Sequence, residues 1–199
     1  MKNSKYCVFV LLALFAFSLP ALGQHDYEFN GGYAHASGDQ GLDGFTVGAA
    51  FSLTPNAQLY VSYDGLFDHS TFGALALTSS GLTFVNSHFS SVLTGPRVFL
   101  PGLLKGHGNV KGHLIHPFLD AQFGEARLRQ NVTAVQLGTL SASDTAFVWG
   151  FGGGGDFHVY PHFTVRPFLG FLRTHFVQSG QSRVRLGVTV VWSRRPRTE

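Results

Sequence analysis

The stretch FVWGFGGGGDFHVYPHF, residues 147 to 163, decides the fold. Gly150, Gly152 and Gly155 stand in it at the G-x-G-x-x-G spacing of a dinucleotide loop. Such a loop needs a helix after the glycines, because the helix N-terminus supplies the amides and the dipole that hold pyrophosphate. Here Asp156 to His162 lead into another β-rich run, so a nucleotide site is set aside. What the stretch does show is a period of two. Phe147, Trp149 and Phe151 share one parity; Val148, Gly150, Gly152, Gly154 and Asp156 share the other. The glycines then line one face of a strand as a flat wall. They leave room for large neighbours such as Tyr60 or an arginine, while Gly153 and Gly155 permit local bending.

Seven further stretches alternate in the same way. Tyr27, Phe29 and Tyr33 oppose Glu28, Asn30 and Gly32. Phe45 to Leu53 alternate with Thr46, Gly48, Ala50 and Ser52, and Thr54-Pro55-Asn56-Ala57 turns the chain. Leu59, Val61 and Tyr63 then oppose Tyr60, Ser62 and Asp64. Val92, Thr94, Val98 and Leu100 oppose Ser91, Gly95 and Arg97, and Leu119, Ala121 and Phe123 oppose His116, Asp120, Gln122 and Gly124. After a turn at Tyr160-Pro161-His162, Val165, Leu169 and Phe171 oppose Thr164, Arg166, Gly170 and Thr174. Val184 to Trp192 close the series against Arg185, Gly187, Thr189 and Val191. Longer polar or flexible connections are expected near 65 to 87, 128 to 143 and 176 to 182, the first two as surfaces for contact. Residues 101 to 112 break the alternation of long and short connections.

Two faces leave two possible barrels. A soluble lipocalin-like binder buries its apolar face and shows charge outward; a membrane barrel does the reverse. The minority face here is Gly, Ala, Ser and Thr, interspersed with Glu28, Asp64, Asp120, Asp156, Arg97, Arg166 and Arg185. Carboxylates and guanidiniums can pair across a narrow interior. Aromatics gather near strand ends: Tyr33, Phe45, Tyr63, Phe123 and Phe171 at one, Phe51, Tyr160, Phe163 and Trp192 at the other. Such rings suit the two interfaces of a bilayer. The expected fold is therefore all-β, an eight-stranded antiparallel up-and-down transmembrane barrel. Pro96, Pro117 and Pro167 fall inside its strands, where a closed ladder has no edge to spare a missing N–H.

The flanks fit that compartment. Lys2 and Lys5 precede an apolar run from Cys7 to Phe17, Pro20 breaks it, and Ala21-Leu22-Gly23 presents small residues, the pattern of a cleavable signal peptide over 1–23. The expected barrel is 24–193 and a short basic tail is 194–199. Losing Lys2 and Lys5 leaves 12 basic against 11 acidic residues, a net charge of +1, which argues against nucleic acid as a partner. Cys7, the only cysteine, leaves with the leader, and with it thiol chemistry and Cys-ligated metal.

The final third, FGGGGDFHVYPHFTVRPFLGFLRTHF followed by QSRVRLGVTVVW, resembles the outer-membrane protein A-like β-barrel family over residues 24 to 193. It shares a glycine-rich strand, a short turn at proline, an Arg-bearing strand and a closing strand that ends on an aromatic. The resemblance implies a cell outer membrane location in a Gram-negative bacterium. It also implies contact with outer-membrane lipids and lipopolysaccharide, insertion by the barrel-assembly machinery, and a structural or surface-platform role with no cofactor. Trp192 is followed by seven further residues, a departure from members that finish on the aromatic, and a cell-wall tether is not carried over.

No catalytic or metal site is assigned. His107, His113 and His116 lack a carboxylate at usable spacing and read as solvated turn residues, and His158 and His162, which flank a turn, read as interfacial polar residues. A lipid-modifying hydrolase would draw His175 together with Ser179 or Ser182 and Glu125, without a nucleophile motif to support it. Arg173 near the outer rim could meet lipid phosphates. A narrow pore is disfavoured, since side chains fill an eight-stranded interior.

Overall fold

The structure, a computed structural model, describes residues 26–38, 41–68, 76–78, 81–100, 115–134, 138–176 and 180–194; for 76–78, 81–85, 132–134 and 138–139 it describes the backbone alone. The expected leader, the connection at 101 to 112 and residues 195–199 of the expected tail lie outside these.

Alternating sequence gives strands wherever it occurs. They are β1 (Tyr27–Ala36), β2 (Leu42–Thr54), β3 (Ala57–Phe67), β4 (Ala76–Thr78), β5 (Gly81–Phe99), β6 (Ile115–Ala134), β7 (Gly138–Tyr160), β8 (Phe163–His175) and β9 (Gly180–Ser193). All pairings are antiparallel, in the order β3-β2-β1-β9-β8-β7-β6-β5-β4. A further β3–β5 pairing closes the wall on eight strands. The short β4 stands outside the barrel, added to the start of β5.

The register returns to β1 out of step. Partners followed round the wall from Asn30 pass through Gly48, Ser62, Leu93, Gly124, Val148 and Thr174 to Gln181. Gln181 lies four residues before Arg185, the partner of Ala36, and is therefore level with position 40, ten residues beyond Asn30. At ~3.3 Å per residue and ~4.8 Å between strands, a stagger of ten over eight strands tilts them by about 40°.

The faces are inverted relative to a soluble barrel. β9 alternates without a break, with Val184, Leu186, Val188, Val190 and Trp192 exposed and Arg183, Arg185, Thr189, Val191 and Ser193 buried. Phe29, Phe151, Leu169 and Phe147 are each more than half exposed, whereas Asp64 and Asp156 are at 0 %. Outward apolar positions run from Phe45 to Leu53 on β2, Phe163 to Phe171 on β8 and Val184 to Trp192 on β9. Nine residues cover about 26 Å of strand, or ~20 Å of height after the tilt, close to the ~25 Å apolar band of outer-membrane barrels. A soluble ligand-binding barrel is excluded by this inversion, because such an outer wall is stable only in hydrocarbon.

The prolines sit where the ladder is interrupted. β5–β6 pairing skips Gly95 and Pro96, between Thr94↔Phe123 and Arg97↔Asp120. β7–β8 pairing breaks between Gly154↔Phe168 and Phe157↔Val165, opposite Pro167. Pro117 is near the start of β6, where its carbonyl accepts from Leu100 N–H at the end of β5. Each missing donor thus falls at a gap or an end.

Two expectations are corrected. The connections expected at 65 to 87 and 128 to 143 are largely strand: β6 and β7 keep pairing up to Ala134↔Gly138, well past the last outward aromatics, Phe123 and Phe147. Their Ser, Thr, Asn and Gln residues can satisfy a ladder in water as readily as apolar ones in lipid. Likewise β9 begins at Gly180, so the connection after β8 spans only 176–179.

Candidate functional site

The barrel interior carries its ion pairs toward the short-turn end and middle. The seven charged residues picked out from the sequence are all buried, and they fall into three groups. On β8, Arg166 donates through Nε to Asp156 Oδ1 at 2.5 Å and through Nη2 to Asp156 Oδ2 at 2.8 Å. The same Nη2 reaches Glu28 Oε2 at 3.0 Å, and Gln58 Nε2 donates to the other Glu28 oxygen at 2.8 Å. Arg97 Nη2 donates to Asp120 Oδ2 at 3.2 Å, with Gln122 Nε2 on Oδ1 at 2.9 Å. Its guanidinium lies 4.5 Å from the ring centroids of both Tyr60 and Phe118. Phe118 also faces Arg166 at 5.4 Å, so one ring separates the first two groups. Nearer the middle, Arg185 Nη2 donates to Asp64 Oδ1 at 2.5 Å and Thr46 Oγ1 at 3.0 Å, while Ser91 donates to Asp64 Oδ2.

Burying a carboxylate or a guanidinium alone would cost several kcal/mol per ion. Here each carboxylate is aligned on a guanidinium that reaches it from another strand. The pairs therefore tie β1 to β8 and β3 to β9 over intervening strands, and join the neighbours β7 to β8 and β5 to β6.

The glycines of β7 serve this packing with different partners from those expected. A Cβ on Gly154 would meet the Phe118 ring at 2.7 Å, one on Gly152 the Asp120 carboxylate at 2.8 Å, and one on Gly150 the Leu172 side chain at 2.8 Å. Tyr60 and the arginines are not the neighbours that need the room. The ring and side chains come instead from β6 and β8, the strands that flank β7, because inward side chains lean over the adjacent strand of a tightly curved wall.

Toward the loop end the interior changes character. Leu42, Leu66, Phe89, Leu93, Val148, Leu172 and Phe176, with four alanines, form one buried apolar cluster. Sequence reasoning expected a small or polar interior throughout and missed it. Its signal is present in the inward parity of Val148 and Leu93 within the alternating stretches, and of Leu66 and Phe89 just beyond their ends. Arg183 closes this end, stacked 5.4 Å from Phe89 and donating to Gln181 Oε1 at 2.8 Å.

On the outer wall β1, β2, β6 and β8 turn polar just past their last loop-side aromatic, whereas β3 carries Phe67 beyond Tyr63, stacked on His88 with ring centroids 4.6 Å apart. Tyr33, Phe45, Phe123 and Phe171 lie at that boundary, and Tyr63 lies one outward position deeper, against Phe45 with ring centroids 6.0 Å apart. At the turn end Trp192 stacks on Phe29 and leans on Tyr27, Tyr160 and Phe163 flank the β7–β8 turn, and Phe51 pairs with Tyr27. Sequence reasoning passed over a polar group at the loop-side boundary. His35 Nδ1 meets Asp43 Oδ1 at 2.8 Å, and Tyr33 donates to the same oxygen. Only the β1–β2 register, His35↔Asp43, brings them together.

The residues considered for hydrolysis are not assembled. Ser182 takes Arg173 Nη1 at 2.6 Å, His175 pairs with Gly180, and β7 stands between His175 and Glu125. Ser179 lies outside the described residues, as do His107 and His113. His116 and His158 stack edge to face at 5.0 Å, and His162 bonds the Ser193 carbonyl. Among the described residues no group of three or more His, Cys, Asp or Glu could hold a metal ion.

Charge locked inside, a hydrocarbon-high apolar band outside and a closed eight-stranded ladder leave one architecture. This is a transmembrane β-barrel of the outer-membrane type. Solved structures of similar fold include Ail, the attachment invasion locus protein of Yersinia pestis, at 14% identity over 84% of this chain and 98% of that one, with a TM-score of 0.56. Neisserial surface protein A matches at 13% identity over 84% and 96%, TM-score 0.56. A major outer membrane protein from Thermus thermophilus matches at 7% identity over 84% and 99%, TM-score 0.51. Ail has also been solved with the heparin analogue sucrose octasulfate. No protein-family model and no curated protein matches the chain.

Proposed function

We propose that the protein is a structural and surface-display barrel of a Gram-negative outer membrane, secreted with a cleaved leader over 1–23, inserted by the barrel-assembly machinery and surrounded by lipopolysaccharide. The observation that carries this reading is the division of labour along the barrel. The interior is committed to packing, with ion pairs below and the apolar cluster above. What is left to meet other molecules is the part of β5, β6 and β7 that rises beyond the apolar band. A solute pore is disfavoured by Leu66, Phe89 and Leu172, which fill the loop end of the lumen at 1 % exposure or less. Outward Arg173 stands just past the band on β8, placed for phosphates of the surrounding lipid.

The sequence offers a clean test. Its only cysteine, Cys7, departs with the proposed leader, so one introduced cysteine is a unique label. Leu140→Cys on the protruding ribbon is expected to react with a membrane-impermeant maleimide on intact cells. Asn56→Cys in the β2–β3 turn is expected to react only after the outer membrane is opened. The reverse pattern, or fractionation away from outer membranes, rejects the proposal. Steady single-channel conductance of the purified barrel in planar bilayers would favour the pore instead.

A further inference from the structure

The ribbon that rises beyond the band is asymmetric. β6 is paired on both flanks over its upper part, with β5 as far as Thr83↔Ala134 and with β7 as far as Ala134↔Gly138. β7 is not. Its pairing with β8 begins at Val148↔Thr174, and β8 turns back into β9 within the four residues 176–179. From Gly138 to Ala146, β7 therefore presents a sheet edge with no strand partner among the described residues. That edge is nine residues, or about 26 Å, long.

Its chemistry is that of an edge left open. Residues 138 to 146, GTLSASDTA, contain no proline and no lysine, and Asp144 is their single charge. Proteins ordinarily blunt exposed edges with such residues, with bulges or with a covering element. Leu140, Ser141, Ala142, Ser143 and Thr145 are all exposed, Leu140 at 73 %. The hydrogen bonding also shows which backbone groups face outward. Thr145 N–H donates to the Asp144 carboxylate at 2.8 Å, and Leu100 N–H donates to the Pro117 carbonyl, so odd-numbered residues of β6 face β5 while its even-numbered ones face their even-numbered partners on β7. In an antiparallel strand the N–H and C=O of one residue point the same way and alternate from residue to residue. Thr139, Ser141 and Ser143 then aim their backbone groups off the edge, while the Asp144 carboxylate caps the end nearest the membrane.

We infer that this edge is a docking site for an extended, acidic-faced segment of another extracellular protein, added to β7 as a further strand. The inference rests on the surface-display reading and supplies its partner. A second copy in the same membrane does not fit. Inserted in the same sense, it presents β7 pointing the same way, and two facing strands each tilted by about 40° cross at ~80°, against ~20–25° between paired neighbours. Charge selects among other partners. On the outward side of the ribbon Arg127 and Arg129 stand one strand in from the edge, opposite Thr145 and Ser143. Arg127 makes one long bond, to Ser143 at 3.4 Å. An incoming strand would lie ~10 Å from β6, so Glu or Asp at its outward positions would meet the long Arg127 and Arg129 side chains over β7, and main-chain bonds to 139, 141 and 143 would supply the rest.

The test uses the purified full barrel in nanodiscs and a blocked peptide of alternating Thr and Glu, eight residues long, fluorescently labelled. Ser143→Pro removes one edge N–H that β6 does not use, so the barrel stays heat-modifiable while peptide affinity falls at least tenfold. Ser143→Ala keeps the N–H and should stay within twofold. A peptide N-methylated on alternate residues should not bind, and the amides of 139, 141 and 143 should exchange hydrogen more slowly with the unmodified peptide bound. Absence of binding at millimolar peptide, or binding indifferent to Ser143→Pro and to N-methylation, overturns the inference. Cysteine labelling at position 140 on intact cells is read separately: if it succeeds while peptide binding fails, the surface-display reading survives without this partner.

Discussion

Replacing Arg166 with methionine asks how far the barrel depends on its lumenal charges. The guanidinium holds Asp156 by two bonds, at 2.5 and 2.8 Å, and Glu28 by one at 3.0 Å. Both carboxylates are essentially inaccessible, Asp156 at 0 % and Glu28 at 2 %. Methionine keeps most of the volume and leaves two buried negative groups without their cation. Breaking one buried pair by removing a partner typically costs about 3–5 kcal/mol. Gln58 still bonds Glu28, so the lower part of that range, about 3 kcal/mol, is expected. That is roughly a 150-fold shift in the folding equilibrium. Urea titration in lipid vesicles, followed by the fluorescence of Trp149 and Trp192, measures it, with the heat-modifiable gel shift as an independent readout. Adding Glu28→Gln and Asp156→Asn to Arg166→Met removes the orphaned charges and should recover most of the loss. A single substitution costing less than about 1 kcal/mol, the range of an exposed pair, would show that the lumen is wet enough to screen these groups. A triple variant no more stable than the single one would show that the loss is packing, not charge.

Three further outcomes follow from the wall and the cluster. Gly154→Ala drives a methyl into the Pro167 carbonyl oxygen and to 2.7 Å from the Phe118 ring and should cost about 1–3 kcal/mol, whereas Gly31→Ala, with its nearest atom at 3.8 Å, should stay within ~0.5 kcal/mol in the same titration. Val188→Arg puts a charge midway along the outer wall and is expected to cost about 2–4 kcal/mol, while Ser141→Arg, beyond the band, should cost less than ~1 kcal/mol; equal costs would refute the inverted-barrel assignment. Phe89→Ala empties part of the apolar cluster and should lower stability by about 3–5 kcal/mol, and a loss below ~1 kcal/mol would show that the loop end of the lumen is not close-packed.

Sequence by itself determined which face of each of the eight barrel strands points outward. Period-two alternation of Val184 to Trp192 against Arg185 to Val191 is local, and with both signs of charge on the minority face it requires a lumen lined by ions and an outer wall facing hydrocarbon. The turn at Tyr160-Pro161-His162 and the glycine run were legible for the same reason: backbone chemistry acts over a few residues. What only the tertiary structure decided is partnership. Arg166 and Glu28 lie 138 residues apart, and their contact depends on the stagger with which β9 meets β1, a closure condition that no single strand carries. The neighbours of Gly150, Gly152 and Gly154 depend on the curvature of the closed wall. The open edge of β7 arises because β6 and β7 are long while β8 is short, and a strand's usable length is set by the neighbour available to take its hydrogen bonds.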